Sequence, residues 1–167
     1  NGRLVSSDFS HEEKNKISIE NFNYKDEKNL DKKNSLNFLN HALALGGFIL
    51  EISKNYKLKK PLVIYNNFSN PLKETIINYK NSFIINENSE LNLINYIDNF
   101  SKENFMVNTI ENIIMEKNSS LNNILINNSK CNGYFYKYIK SDLKKNSNLQ
   151  NYLISSGLKF NKLDIEI

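Results

Sequence analysis

Short apolar runs recur along the chain from residue 48 onward, and in the first of them Phe48, Leu50 and Ile52 alternate with Ile49 and Glu51. A period of two is the pattern of a β-strand that turns one face toward a core. The runs span residues 48–52, 61–65, 82–85, 91–97, 105–115, 121–126, 134–139, 149–154 and 158–167. Polar turn-forming residues separate them, so the sequence predicts a mainly β protein.

One helix is predicted ahead of these strands. Asn34 or Ser35 supplies an N-cap, and the pair Gly46 and Gly47 supplies a stop after about ten residues. The leucines of this segment fall at i, i+3 and i+7: Leu36, Leu39 and Leu43. We therefore expect this leucine face to be buried against the start of the sheet.

Residues 1–33 are polar, with apolar positions only scattered among them. We expect an irregular N-terminal arm at 1–33, a helix leading into the core at 34–47, and a β core at 48–167. The last run reaches Ile167 in mid-strand, with Leu163 and Ile165 on the same face. An unpaired apolar edge calls for a further coil or a partner, so we expect the core to be truncated at this end.

A repeated phrase determines the predicted architecture. Its copies are Asn88-Ser89-Glu90-Leu91, Asn118-Ser119-Ser120-Leu121 and Asn146-Ser147-Asn148-Leu149, with a looser copy at Asn55-Tyr56-Lys57-Leu58. Self-similarity at a period of about 20–50 residues is typical of a solenoid. Each copy begins a strand, and asparagine tolerates the left-handed conformation that a tight corner needs. With about two strands per repeat, the sequence predicts a right-handed parallel β-helix.

The charge pattern and the lengths of the apolar runs argue against a nucleic acid or a membrane as a partner. The net charge is +4, but lysines alternate with acidic residues, so no continuous basic strip for nucleic acid is expected. No apolar run of membrane-spanning length is visible, and we expect no membrane association. A lone cysteine excludes an internal disulfide framework and fits a reducing compartment.

Several segments carry a resemblance to a known family. The segments are NFLNHALA at 37–44, GFILEISK at 47–54, KPLVI at 60–64, NTIENI at 108–113, EKNSSL at 116–121 and NKLDIEI at 161–167. Together they resemble the core of SufD, in the SufB/SufD family of iron–sulfur cluster assembly proteins. The likeness runs from about residue 36 to the end of the chain.

The resemblance implies a non-catalytic scaffold subunit of the SUF system. Such a subunit would act with SufB-like and SufC-like partners in a SufBCD-type complex, in the cytoplasm or in a plastid-type organelle. The SufC-like ATPase would hydrolyse ATP, and the iron–sulfur cluster would be assembled with the partners. We assign none of the family's functional histidine and cysteine positions to a residue of this chain.

The chain's own chemistry leads to the same expectation of no resident cofactor. An iron–sulfur cluster requires about four thiolate or imidazole ligands, and structural zinc also requires about four. The candidates here are Cys131, His11 and His41. We assign no catalytic, cofactor-binding or metal-binding residue. Lys130 beside Cys131 would lower the pKa of that thiol, but an unreactive thiol is the simpler interpretation.

Two other functions remain open. A solenoid can present a binding surface with no role in cluster assembly. A β-helical polysaccharide lyase or hydrolase is the second alternative, and it would require carboxylates clustered on one face with a basic residue. Here the acidic residues are scattered over turns and the N-terminal arm.

Overall fold

The chain folds as a parallel β-helix of about four turns. The computed structural model describes residues 4–22, 34–68, 72–99, 101–128 and 132–167. Its helices are α1 (His11–Lys14) and α2 (Ser35–Leu43), and its strands are β1 (Ile17–Asn21), β2 (Phe48–Ile52), β3 (Leu62–Phe68), β4 (Thr75–Ile85), β5 (Glu90–Asn99), β6 (Phe105–Met115), β7 (Ser120–Asn128), β8 (Gly133–Leu143), β9 (Asn148–Ser156) and β10 (Phe160–Glu166). The predicted parallel β-helix is confirmed.

Two sheets form the walls of the β-helix. Sheet A has the order β1-β2-β4-β6-β8-β10, and sheet B has the order β3-β5-β7-β9. Successive strands of the chain alternate between the sheets from β2 onward, and their pairings are parallel. Each turn of the helix therefore contributes one strand to each sheet, which is the two strands per repeat that the sequence predicts.

The repeated phrase forms one corner of the β-helix, as predicted. Its asparagines, Asn55, Asn88, Asn118 and Asn146, all have φ between 57° and 61°. Their side chains form a ladder: the Nδ2 atoms of residues 88, 118 and 146 donate to the Oδ1 atoms of residues 55, 88 and 118 at 2.9, 3.1 and 3.1 Å. The spacings of 33, 30 and 28 residues are thus the lengths of successive turns.

The interior is filled by residues that stack from turn to turn. Leu91, Leu121 and Leu149, the leucines of the repeated phrase, stand in register. At another corner Phe68, Phe105 and Phe135 pack with ring centroids 5.8–6.3 Å apart. Because every coil covers the apolar face of its neighbour, the core runs along the helix axis.

The described part of the N-terminal region has regular structure where an irregular arm is expected. Ser10 and Glu13 form a capping box around α1. The strand β1 pairs antiparallel with β2, placing Ile17 opposite Ile52. The alternation of Ile17 and Ile19 with polar residues is too short to predict a strand, but β1 covers the edge that β2 would otherwise leave unpaired.

Helix α2 begins at the predicted cap, since Asn34 Oδ1 accepts from the backbone N–H groups of residues 36 and 37. The predicted leucine face is only partly buried, since Leu36 packs against the cluster of Ile110, Tyr136 and Tyr138 but no leucine of the helix is fully buried. The buried residues are Asn37 and Asn40, whereas Leu43 is exposed. The helix lies on β4 and β6, where Asn40 Nδ2 donates to two strand carbonyls. Hydrogen bonding to that polar sheet surface decides which face is buried.

Candidate functional site

The last strands on each sheet, β9 and β10, form the open end of the β-helix. Among the described strands, β9 pairs with β7 alone and β10 with β8 alone. Leu153 points inward and is 39% exposed, while Leu125, the residue beside it in β7, is 8% exposed. Ile165 is 49% exposed, against 3% for the adjacent Ile139. The open end therefore presents core-type side chains to water.

The open end also exposes the last members of two amide rows. Inside the β-helix Asn95 donates to Asn123 at 3.0 Å, and Asn123 donates to Asn151 at 3.0 Å. At the corner, Asn146 is the final residue of the asparagine ladder. A strand laid against the open end would meet side chains and backbone groups arranged as they are between successive coils.

A buried ion pair lies one coil below this end. Lys137 Nζ is 2.5 Å from Glu111 Oε1, and both side chains are buried among core residues. Glu111 Oε2 has no hydrogen-bond partner among the described residues. The two charges compensate each other in a medium where an isolated charge would be very costly.

A small cavity of about 50 Å³ adjoins the ion pair, and the open-end residues Asn151, Leu153 and Leu163 contribute to its wall. Sites for organic ligands usually measure about 300–1,000 Å³. The cavity is large enough for water but too small for such a ligand.

The ion pair influences a neighbouring tyrosine. Burial raises the pKa of Tyr79 well above its ordinary value, and the Glu111 carboxylate raises it further. Thr109 on β6 pairs in register with Lys137 on β8. The buried polar side chains around the ion pair therefore belong to more than one coil.

A second polar network braces the open end from outside. Asn34 Nδ2 donates to Tyr136 Oη at 2.8 Å, and Tyr136 Oη lies 3.0 Å from Asp164 Oδ2 and 3.1 Å from Asn37 Oδ1, sharing its proton between them. The Lys162 ammonium, 3.0 Å from Asp164, holds the pKa of that carboxyl below its ordinary value. The network ties α2 to β8 and β10.

Lys80 is buried on the outer face of sheet A. Its ammonium lies 5.6 Å from the ring centroid of Phe22, a cation–π distance. Burial lowers the pKa of Lys80 to about 8, and repulsion from Lys140 contributes. A lysine in this setting titrates closer to neutrality than a surface lysine.

Of the three ligand candidates from the sequence, His11 and His41 lie among the described residues, on different helices. Cys131 lies outside the described residues. His11 is exposed on α1, and His41 is half-buried on α2. No group of three or more histidine, cysteine or acidic side chains within the described ranges is placed to hold a metal ion.

None of the helices described is long and apolar enough to cross a membrane.

The chain matches no protein-family model and no curated protein sequence. The segments that carry the SufD resemblance lie on α2 through β3, along β6 into the next corner, and in β10.

Four residues of the polar networks are not predicted as site residues from the sequence: Glu111, Tyr136, Lys137 and Asp164. A signal existed for two of them, because Glu111 and Lys137 occupy inward positions in runs of otherwise mostly apolar alternation.

Proposed function

We propose that this chain is a non-catalytic scaffold subunit and that the open end of its β-helix receives a further coil or a partner protein. The observation that carries this proposal is the half-exposed inner face of the last coil, where Leu153 and Ile165 lie in core positions. Because Leu153 and Ile165 are only 39% and 49% exposed, completing their burial contributes roughly 1 kcal/mol each, under half of the value for a fully exposed side chain. A partner that supplies a further coil or strand gains this energy together with backbone hydrogen bonds.

The more specific proposal is a SufD-like subunit of the SUF system. It is supported by the resemblance of the segments between residue 36 and the end of the chain, and by the β-helix that this resemblance implies. In this role the chain works with SufB-like and SufC-like subunits, in the cytoplasm or a plastid-type organelle. The partners contribute ATP hydrolysis and the cluster-handling ligands, and the iron–sulfur cluster is their joint product.

Co-expression with SufB-like and SufC-like subunits from the same organism tests this proposal. We expect the three chains to co-purify and to raise the yield of cluster over that obtained without this chain. The double variant L153K/I165K places two charges on the inner face of the open end, and we expect it to abolish co-purification. The matched control is I76K, because Ile76 is 52% exposed but lies on β4, far from the open end in strand order.

Circular dichroism of each variant establishes that the β-helix is still folded before binding is judged. Co-purification without any effect on cluster yield would favour an interaction module with no role in cluster assembly. Failure of the wild-type chain to bind either subunit would overturn the SufD-like assignment.

A further inference from the structure

The outer face of sheet B carries two rows of apolar side chains that run across all four of its strands. The first row is Val63, Ile94, Ile124 and Tyr152, and the second is Tyr65, Tyr96, Ile126 and Ile154. We call these eight residues the Ile–Tyr face. The parallel pairing places one residue of each row on every coil, so the face is continuous along the β-helix.

The Ile–Tyr face is exposed and uncharged. Tyr65 and Ile154, at opposite ends of the second row, are 67% and 59% exposed. The four residues on the central strands are half-buried by their neighbours, and the Tyr65 and Tyr96 rings meet edge to face with centroids 5.9 Å apart. No described element packs over these rows.

The positions beside the two rows are mostly amides. They are Asn92, Asn122 and Gln150 on one side, and Asn67, Asn128 and Ser156 on the other. Asn122 donates to Asn92 at 3.4 Å and Ser156 donates to Asn128 at 2.7 Å, so much of this rim is hydrogen-bonded within the sheet. An apolar centre with a polar rim is the usual anatomy of a protein interface.

The outer face of sheet A is different. Helix α2 lies on β4 and β6 of that sheet. Its exposed remainder carries one apolar row, which consists of Ile76, Met106, Tyr134 and Phe160. It also carries ion pairs, including Lys140 with Glu166 at 3.3 Å and Lys162 with Asp164 at 3.0 Å. Sheet A therefore has one exposed apolar row with charged side chains near it, whereas sheet B has two adjacent apolar rows without a charge in either.

The size of the Ile–Tyr face matches a protein interface. With about 200 Å² as the full area of a large side chain, its eight residues leave on the order of 600 Å² of surface in water. The largest apolar patch of a typical monomer is about 300–600 Å². A stable interface buries roughly 800 Å² per partner, which the face reaches when its rim is included.

We propose that the Ile–Tyr face is the interface of a homodimer, in which a second copy of this chain packs sheet B against sheet B. A face without charge in its two apolar rows offers nothing to a nucleic acid or a charged peptide, but it is complementary to itself. Two β-sheets pack face to face at about 10 Å with their strands nearly aligned. The interface of such a pair is isologous, with the same residues contributed by both copies.

The register of the two rows supports this symmetry. A two-fold axis parallel to the strands, passing between β5 and β7, lays each row of one copy on the same row of the other. Tyr65 then faces Ile154 and Tyr152 faces Val63 of the second copy. In the same way Tyr96 faces Ile126, so every tyrosine of the face meets an aliphatic side chain.

Sedimentation or light-scattering mass measurement of the purified chain tests the proposal over a range from low micromolar to submillimolar concentration. We expect a dimer that dissociates on dilution. The variant Y65K/I154K changes two side chains that are more than half exposed, so the folded monomer tolerates it. We expect it to raise the dimer dissociation constant about 100-fold or more.

Two controls separate this interface from the other surfaces. I76K introduces the same charge at an isoleucine of similar exposure on sheet A, and L153K/I165K alters the open end; both are expected to leave the dimer intact. A chain that is monomeric at every concentration would refute the proposal. It would also fail if Y65K/I154K dimerised like the wild type, or if lipid vesicles rather than a second copy bound the Ile–Tyr face.

Discussion

The asparagine ladder makes a specific prediction about stability at Asn118. This residue has φ of 57°, donates to Asn88 Oδ1 and accepts from Asn146 Nδ2, both at 3.1 Å. Replacing it with alanine removes both side-chain hydrogen bonds and leaves an alanine in the left-handed region. Replacing it with glycine removes the same two bonds but keeps a residue that adopts positive φ without strain. The two variants therefore separate the backbone contribution from the side-chain contribution.

The magnitudes follow from these two contributions. A hydrogen bond contributes about 0.5–1.5 kcal/mol to stability, and the exposed corner favours the lower end of that range. We expect Asn118→Gly to cost about 1–1.5 kcal/mol. Alanine adds a left-handed penalty of about 1–2 kcal/mol, reduced by its smaller loss of backbone entropy. We therefore expect Asn118→Ala to cost about 2–2.5 kcal/mol.

Thermal and urea unfolding followed by circular dichroism measure both variants. For a protein of this size 1 kcal/mol shifts Tm by about 2–4 °C, so Asn118→Ala should melt about 4–10 °C below the wild type. Asn148→Ala is the control, because Asn148 begins β9 without a positive φ. If glycine and alanine at position 118 cost the same, the left-handed backbone is not the reason for asparagine at this corner.

Three further predictions concern buried polar groups. Glu111→Met alone should cost about 3–5 kcal/mol in urea unfolding because Lys137 keeps an unpaired buried charge, whereas the double variant E111M/K137M should recover most of the loss. Burial lowers the pKa of Lys80 to about 8 from 10.5, so the unfolded state binds more protons between these values and stability should rise with pH across that window. Lys80→Met should abolish that rise and be more stable than the wild type at neutral pH; an unchanged pH profile would contradict the assignment. Asn40→Ala should cost about 2–3 kcal/mol, since it leaves two strand carbonyls without their donor, while Leu43→Ala should cost less than about 0.5 kcal/mol.

The strands were predicted best where local pattern and tertiary environment agree. The runs at 48–52 and 105–115 have the bounds of β2 and β6, and the ends of the run at 91–97 lie within two residues of those of β5. The prediction failed at the start of β4, where the run 82–85 captured only the end of Thr75–Ile85. Asn78 and Lys80 interrupt the apolar pattern there, because the outer surface of this strand is polar and covered by other parts of the chain.

The sequence by itself determined the period of the β-helix and its corner. An asparagine with positive φ and a leucine three residues later are local requirements, so their repetition is visible without any tertiary contact. The alternation of Leu163 and Ile165 also indicated the open end, but the buried ion pair near that end was not visible in this way. Glu111 and Lys137 are 26 residues apart and meet only because β6 and β8 are stacked. Tertiary structure likewise decided that α2 buries asparagines rather than leucines and that sheet B keeps an apolar face in water, since both depend on which surface each element meets.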